Sequence, residues 1–322
     1  MDATLTTTRG NRLLSTLLKS KESAILLALV IMMIVIGVIA PRFVSGTNIF
    51  QVSRQIAFVA IVAVGELFVI LTGGIDLSVG SIMGWSGVAA AWVMSLGYSP
   101  VLAVVFGVLA GVAMGAINGA LIAWVKIPPF IATLGMLQFA HGNVLGLTKG
   151  WPITAIPKSF LWVAQGDVLF IPVPVWIGLV IAAVAHVVLT YTAFGRRTYA
   201  MGGNEQATFL SGIDVDKIKF VLYMISAGCA ALSGIILVSR FSSAQPDTGT
   251  GWELDAIAAA VIGGTSLAGG SGSVLGVIIG ACIMGVLRNG LVLMRVSPYW
   301  HISIIGVVIV LAAVLDVKTK RT

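Results

Sequence analysis

The chain has 322 residues, of which 58% are hydrophobic and only 10% charged, and its mean hydropathy is +1.05. Soluble domains carry about 25% charged residues, so this composition excludes a water-soluble enzyme or binding module and demands lipid as solvent. The net charge of +7 does not point to nucleic acid as a partner, because Lys and Arg sit at the edges of apolar segments rather than in one patch, as orientation signals do.

Residues 1–22 form a basic tail with Arg9, Arg12, Lys19 and Lys21, expected in the cytoplasm. The apolar run 23–40 follows, long enough to cross a bilayer at about 1.5 Å per residue. Val38 and Ala40 imitate a cleavage site, but Pro41 opposes cleavage, and the run reads as a retained signal anchor. Further apolar segments fall at 56–73, 77–96, 100–124, 128–147, 173–193, 218–238, 253–267, 272–292 and 301–316. They predict an all-α polytopic protein of about ten spans, the weakest at 77–96 and 253–267, with eight spans as the main alternative. One transmembrane domain, 23–316, and a short cytoplasmic tail, 317–322, complete the chain.

With the N-terminus inside, ten spans place 12 of the 19 Lys and Arg in the cytoplasm and 6 outside, with Arg288 inside a span. That bias favours this orientation, with both termini cytoplasmic, in the bacterial inner membrane. The external loop 148–172 carries Trp151, Trp162 and three prolines, as a segment at the headgroup level would. The longest polar insertion, 194–219, is cytoplasmic on this parity.

Glycine is abundant, with 38 residues. Gly107, Gly111, Gly115 and Gly119 recur every four positions and define a stripe where a neighbouring helix approaches closely, with Asn118 beside it. The clusters ILTGGIDLSVGSIMG at 70–84 and VIGGTSLAGGSGSVLGVIIG at 261–280 resemble each other and point to an internal repeat. None of these glycines makes a nucleotide site. The chain contains no G-x-x-x-x-G-K-S/T run, and GGSGSVLG at 269–276 has Leu275 where a dinucleotide fingerprint needs its last Gly.

No catalytic or metal constellation emerges, and no cofactor is expected. His141, His186 and His301 are far apart, and Cys229 and Cys282 read as small packing residues inside apolar runs. Ionisable residues within spans cost roughly 2.5–3.5 kcal/mol each, so Glu66, Asp76 and Arg288 need partners or a function. Asp76, after the Gly73-Gly74 break, can accept from the amides of Ser78 and Val79 as an N-cap. Glu66 and Arg288 can form an ion pair across the bundle, as interhelical glue or as a pathway lining. Ion-coupled symport is the rival use of such carboxylates.

The insertion AMGGNEQATFLSGIDVDKIK offers Gly202-Gly203 as a flexible lead-in, Asn204 as an N-cap and Glu205 at the positive end of a helix. About two turns, 206–211, follow, and Gly212 stops them. A short helix between two spans is a ridge for a cytosolic partner to grip. Here the chain resembles the permeases of bacterial sugar ABC importers, the family of the ribose, xylose, arabinose and galactoside systems, from about Pro41 to Asp316. ILTGGIDLSVGS at 70–81, the GGNEQATFLSGI run, and AVIGGTSLAGGSGSVLG at 260–276 carry the likeness. Gln206 departs from the family's usual second residue after Asn204, which is alanine.

The resemblance implies two permease copies around a central pathway, a cytosolic tandem ATPase, and a periplasmic sugar-binding protein. It also implies that the chain itself hydrolyses nothing. Gly203, Asn204, Glu205, Ala207 and Gly212 would form the coupling ridge. Asn118, Gln138, Asn143 and Asn289 are candidates for bonding sugar hydroxyls, and Arg42, Arg54, Lys158, Arg240 and Arg295 for docking the binding protein. Branched-chain amino acids or another small solute are the alternative cargo.

Overall fold

The computed structural model describes residues 21–321; the tail with Arg9, Arg12 and Lys19 lies outside them, as do the side chains of Lys21 and of residues 312, 313 and 315–321. The described chain is a helical bundle. Its helices are α1 (Lys21–Ile39), α2 (Gly46–Ile70), α3 (Val79–Ser95), α4 (Pro100–Ala123), α5 (Pro129–Thr148), α6 (Lys158–Gln165) and α7 (Val173–Tyr191). They are followed by α8 (Ala193–Gly203), α9 (Glu205–Leu210), α10 (Val215–Phe241), α11 (Trp252–Ile262), α12 (Val274–Leu293) and α13 (Pro298–Arg321). A two-stranded antiparallel hairpin, β1 (Asp167–Val168) and β2 (Ile171–Pro172), sits between α6 and α7.

Seven of these helices, α1, α2, α4, α5, α7, α10 and α12, are long and apolar enough to cross a membrane. Their starts follow local chemistry: Ser45, Ser99 and Ser273 cap α2, α4 and α12 through their side chains, and prolines open α4, α5 and α7. The centre of the bundle is α2, whose residues 57–70 are all buried, packed by α10, α12, α11 and α7. Packed against α10, α4 and α5, α3 is buried along nearly its whole length. The helices α1, α4, α5 and α7 present broad apolar faces outward, as lipid-facing helices do.

The four-residue glycine stripe runs along the α4–α10 contact. A β-carbon at Gly111 would stand 2.7 Å from Ala231 Cβ, and one at Gly119 would stand 2.8 Å from the Phe220 carbonyl oxygen. The two backbones therefore approach too closely for any side chain there.

The segment 253–267 differs from its sequence reading. Its helix, α11, has 11 residues, about 16 Å at 1.5 Å per residue, roughly half of the hydrocarbon thickness. Residues 242–251 before it are non-helical and dip between the helices: Gly249 meets the backbone of Gly80, and the Thr248 carbonyl oxygen lies 2.6 Å from where a Gly84 β-carbon would be. Hydropathy registers the apolar residues of such a segment but not the break at its end, where Gly263 closes the helix and Gly264 takes φ of +86°.

The connections gather at two ends. At one end, Ile153 bridges Ala244, Arg54 donates to the Gln165 carbonyl oxygen at 2.9 Å, and the Gln165 amide donates to the Ser239 carbonyl oxygen at 3.1 Å. The 148–172 loop lies here, with Trp151, Leu169 and Phe170 strongly exposed. The other end gathers residues 71–78, 124–128, 192–214 and 263–273, and it carries α9.

Candidate functional site

Two features stand out, one buried and one protruding, and they are joined by backbone. The buried one begins where α2 stops. Gly73, at φ +77°, and Gly74 turn the chain back so that the Asp76 N–H donates to Glu66 Oε1 at 2.9 Å. Asp76 Oδ1 accepts from the Ser78 N–H at 2.9 Å and from its hydroxyl at 2.5 Å, while Ser226 on α10 donates to Oδ2 at 3.3 Å. The Asn118 amide on α4 donates to Ser78 Oγ at 2.8 Å. Glu66, Asp76, Ser78, Asn118 and Ser226 are all fully buried.

This network corrects two expectations. Asp76 takes the amide and hydroxyl of Ser78, with no bond to Val79 among those found, and Ser78 occupies the cap position of α3. Glu66 does not pair with Arg288. Arg288 Nη2 instead lies 2.5 Å from Asp255 Oδ2, on the half-length helix α11, where it neutralises a carboxylate that is otherwise enclosed. Asn289, one residue on, exchanges amide hydrogen bonds with Asn48 at 2.9 and 3.0 Å. Asp76, Asn118, Arg288 and Asn289 thus have partners on other elements, while Glu66 is held by the backbone of the turn after its own helix.

Gln138 and Asn143 are placed differently. They lie on the outward side of α5 with Phe139, Gly142, Gly146 and Leu147, around an open cavity of about 390 Å³. A β-carbon at Gly135, Gly142 or Gly146 would touch nothing within 4 Å.

The protruding feature is α9. Asn204 adopts an extended conformation and its side chain accepts from the Ala207 N–H at 2.9 Å, while Gly212 takes φ +81° just after the helix. Gly203, Asn204, Glu205 and Ala207 are exposed, and Glu205 forms an ion pair with Lys219 at 2.6 Å. At the start of α10, a side-chain hydrogen bond from Lys217 holds the Asp214 carboxyl below the usual range.

Gly202 and Gly203 are not a flexible lead-in. They close α8, a helix that polarity and glycine content concealed, and Gly202 is wedged so that a β-carbon would overlap the Leu71 carbonyl oxygen and the Gly270 nitrogen. The Gly270 N–H donates to the Leu71 carbonyl at 2.9 Å. Gly269, at φ +86°, would bring a β-carbon to 2.9 Å from Gly73 N and 3.0 Å from the Gly202 carbonyl oxygen. Tyr199 on α8 donates to the Gly272 carbonyl at 2.8 Å, and burial pushes its hydroxyl pKa up. The three glycine-rich stretches of the sequence therefore meet at one backbone junction beneath α9.

The positively charged docking candidates lie toward the opposite end. Arg42, Lys158 and Arg295 are exposed. Arg54 is tied to Gln165, and Arg240 donates to Gln51 Oε1 at 3.3 Å with its guanidinium 5.5 Å from the Phe58 ring centroid. Arg54 and Arg240 have no acidic partner within ion-pair distance among the described residues. Sequence reading missed Ser226, Asp255 and Gly270, whose partners Asp76, Arg288 and Leu71 are distant in the chain, and it did not find the contacts of Ser78 with Asn118 or of Gly202 with Leu71.

Comparison with known proteins gives a consistent result. Residues 48–313 match a family model described as a branched-chain amino acid transport system / permease component. The chain is 44% identical over 303 residues to a ribose import permease protein of Escherichia coli, covering 93% of this chain and 94% of the relative. It is 45% identical over 294 residues to one from Bacillus subtilis, with 91% of each covered. Identity is 39% over 290 residues to a D-allose transport system permease protein of Escherichia coli, with 89% of each covered. No solved structure matches the chain.

Proposed function

Since this chain belongs to the family of transport-system permease components, we propose that it is the membrane-spanning subunit of an ATP-binding-cassette importer for a monosaccharide of the ribose or allose kind. The observation that carries the mechanism is the junction beneath α9. A cytosolic ATPase that grips α9 moves Gly202, and with it the backbone of Leu71 and Gly270, because these atoms touch with no side chain between them. Leu71 leads into the Asp76 turn and Gly270 into α12, so the movement reaches both interruptions of the membrane helices. Such elements rock against each other in alternating access.

The α9 end faces the cytoplasm in this reading. Ten segments cross the membrane, with 242–251 and α11 together making one crossing, and both chain ends are cytoplasmic around the single domain 23–316 with its coupling loop 194–219. Twice as many Lys and Arg fall inside as outside on this topology, which supports it. A second permease copy packs across the α5 face, and Gln138 and Asn143 supply hydroxyl-bonding groups to the pathway between the two copies. An amide left facing lipid would be costly, which favours a covered face. The chain hydrolyses no ATP. A periplasmic binding protein docks at the opposite end on Arg42, Arg54, Lys158, Arg240 and Arg295, each contributing about 0–1 kcal/mol when exposed.

Glu205→Lys tests the assignment. In proteoliposomes with ATPase and binding protein, it is expected to cut sugar uptake and sugar-stimulated ATP hydrolysis together, leaving the sugar affinity of the binding protein unchanged. Normal stimulation would overturn the role of α9. Uptake abolished by an uncoupler but indifferent to ATP would instead establish symport.

A further inference from the structure

The surface around α9 includes a second element. Between α9, the start of α10 and the α4–α5 loop lies an open cavity of about 510 Å³, lined by Lys126, Glu205, Gln206, Phe209, Val215 and Asp216. Lys126 is held there by an ion pair with Asp216 at 2.5 Å, with its backbone in the left-handed region at φ +65°. Glu205, on the α9 side, is paired with Lys219 at 2.6 Å. The charged lining residues Lys126, Glu205 and Asp216 are thus matched within the chain, and Phe209 and Val215 are the apolar part of the lining.

Large apolar side chains stand uncovered on the two segments that bound this cavity, the α4–α5 loop and α9. Val125 is 63% exposed, Phe209 61%, Leu210 77% and Trp124 55%, although Trp124 leans on Phe220 with ring centroids 4.9 Å apart. An acyl chain is a poor occupant, because two ion pairs edge the opening and one wall is a polar helix outside the apolar spans. A charged side chain gains little where the lining charges already have partners. An uncharged, apolar side chain from a soluble protein suits a lining whose charges are paired and whose remaining members include Phe209 and Val215.

We propose that the α4–α5 loop, Trp124 to Lys126, is a second contact for the cytosolic ATPase, and that the cavity it shares with α9 receives one apolar side chain of that subunit. This rests on the reading that α9 docks the ATPase, since α9 forms one wall. The ATPase then grips two connections at once: α9, whose base is joined to Leu71 and Gly270, and the loop between α4 and α5. Because α4 carries Asn118 and α5 carries Gln138 and Asn143, the second contact reaches the α5 face without passing through the glycine junction.

The test uses the whole importer, permease with its cognate tandem ATPase and binding protein, in proteoliposomes. A benzophenone amino acid is placed at position 125 or position 209 in transport-competent protein, and Val125→Asp is titrated with purified ATPase. Photo-crosslinks to the ATPase from both positions, and at least a tenfold rise in the ATPase concentration for half-maximal uptake in Val125→Asp, are expected. Crosslinks from 209 alone, with only lipid adducts or none from 125 and a normal titration, overturn the second contact and leave the α9 reading intact. Crosslinks from 125 alone overturn the shared cavity. Crosslinks from neither, with Glu205→Lys behaving normally, overturn the α9 reading and this proposal together.

Discussion

The two ends of the bundle are held together by different means. At the α9 end the connections touch through backbone: Gly202, Leu71, Gly269 and Gly270 lie so close that a single methyl group has no room. At the opposite end, apart from the backbone bridge between Ile153 and Ala244, they meet through side chains, Arg54 on Gln165, Arg240 on Gln51, Asn48 on Asn289. Long side chains re-aim by changing rotamer, whereas a backbone contact between glycines has nothing to re-aim. In the proposed mechanism the α9 end therefore passes on a displacement and the opposite end absorbs one.

The most severe way to break this contrast is Gly202→Val. A β-branched side chain overlaps Leu71 and Gly270 whatever its rotamer, and uptake should fall at least a hundredfold, while Gly203→Ala, with open space at its β-carbon, should retain uptake within about twofold. Retained transport in Gly202→Val would show that the junction is slack. Next is Arg288→Ala, which leaves Asp255 enclosed without its partner and should destabilise the bundle by about 3–5 kcal/mol in reversible detergent unfolding. Adding Asp255→Leu should recover most of that loss.

A smaller effect separates the ridge from its cap. Asn204→Ala removes the side-chain bond to the Ala207 N–H and should cost about 1 kcal/mol of local helix stability, read as faster amide exchange in α9. The smallest is at the opposite end. Asn48→Ala breaks the amide pair with Asn289, and interhelical hydrogen bonds in membranes average about 0.6 kcal/mol, so both stability and uptake should change little. A large loss of uptake there would mean that the opposite end also transmits force.

Much of this was legible in the sequence where the determinant is local. Asn204 and Gly212 bracket α9 because capping depends on the residue at the cap and on the amides beside it. Likewise the glycine stripe on α4 announces a close neighbour without naming α10. What escaped needs information that a linear pattern does not hold. Glycine, arginine and low hydropathy hid α8, which meets distant backbone at Leu71, Gly270 and Gly272. The length of α11 escaped because the predicted segment ran on past Ile262 into residues 263–267, where Gly264 at φ +86° has already turned the chain out of the helix. Arg288 found Asp255 rather than Glu66 because Glu66 is engaged by its own chain ten residues on, through the turn at Gly73-Gly74.

The complete burial of residues 57–70 in α2 bears on how the protein is made. This segment enters the membrane early, yet α10 and α12, which cover it, are among the last to be synthesised. At about 5–20 residues per second the delay is on the order of 10 s or more. During that interval Glu66 has its own turn as shelter, but the flank of α2 that will meet α10 and α12 faces lipid or an insertion chaperone. The order of synthesis therefore makes α2 the scaffold on which the later helices are laid, and a ribosome stalled before α10 should yield a membrane-inserted chain that proteases readily clear.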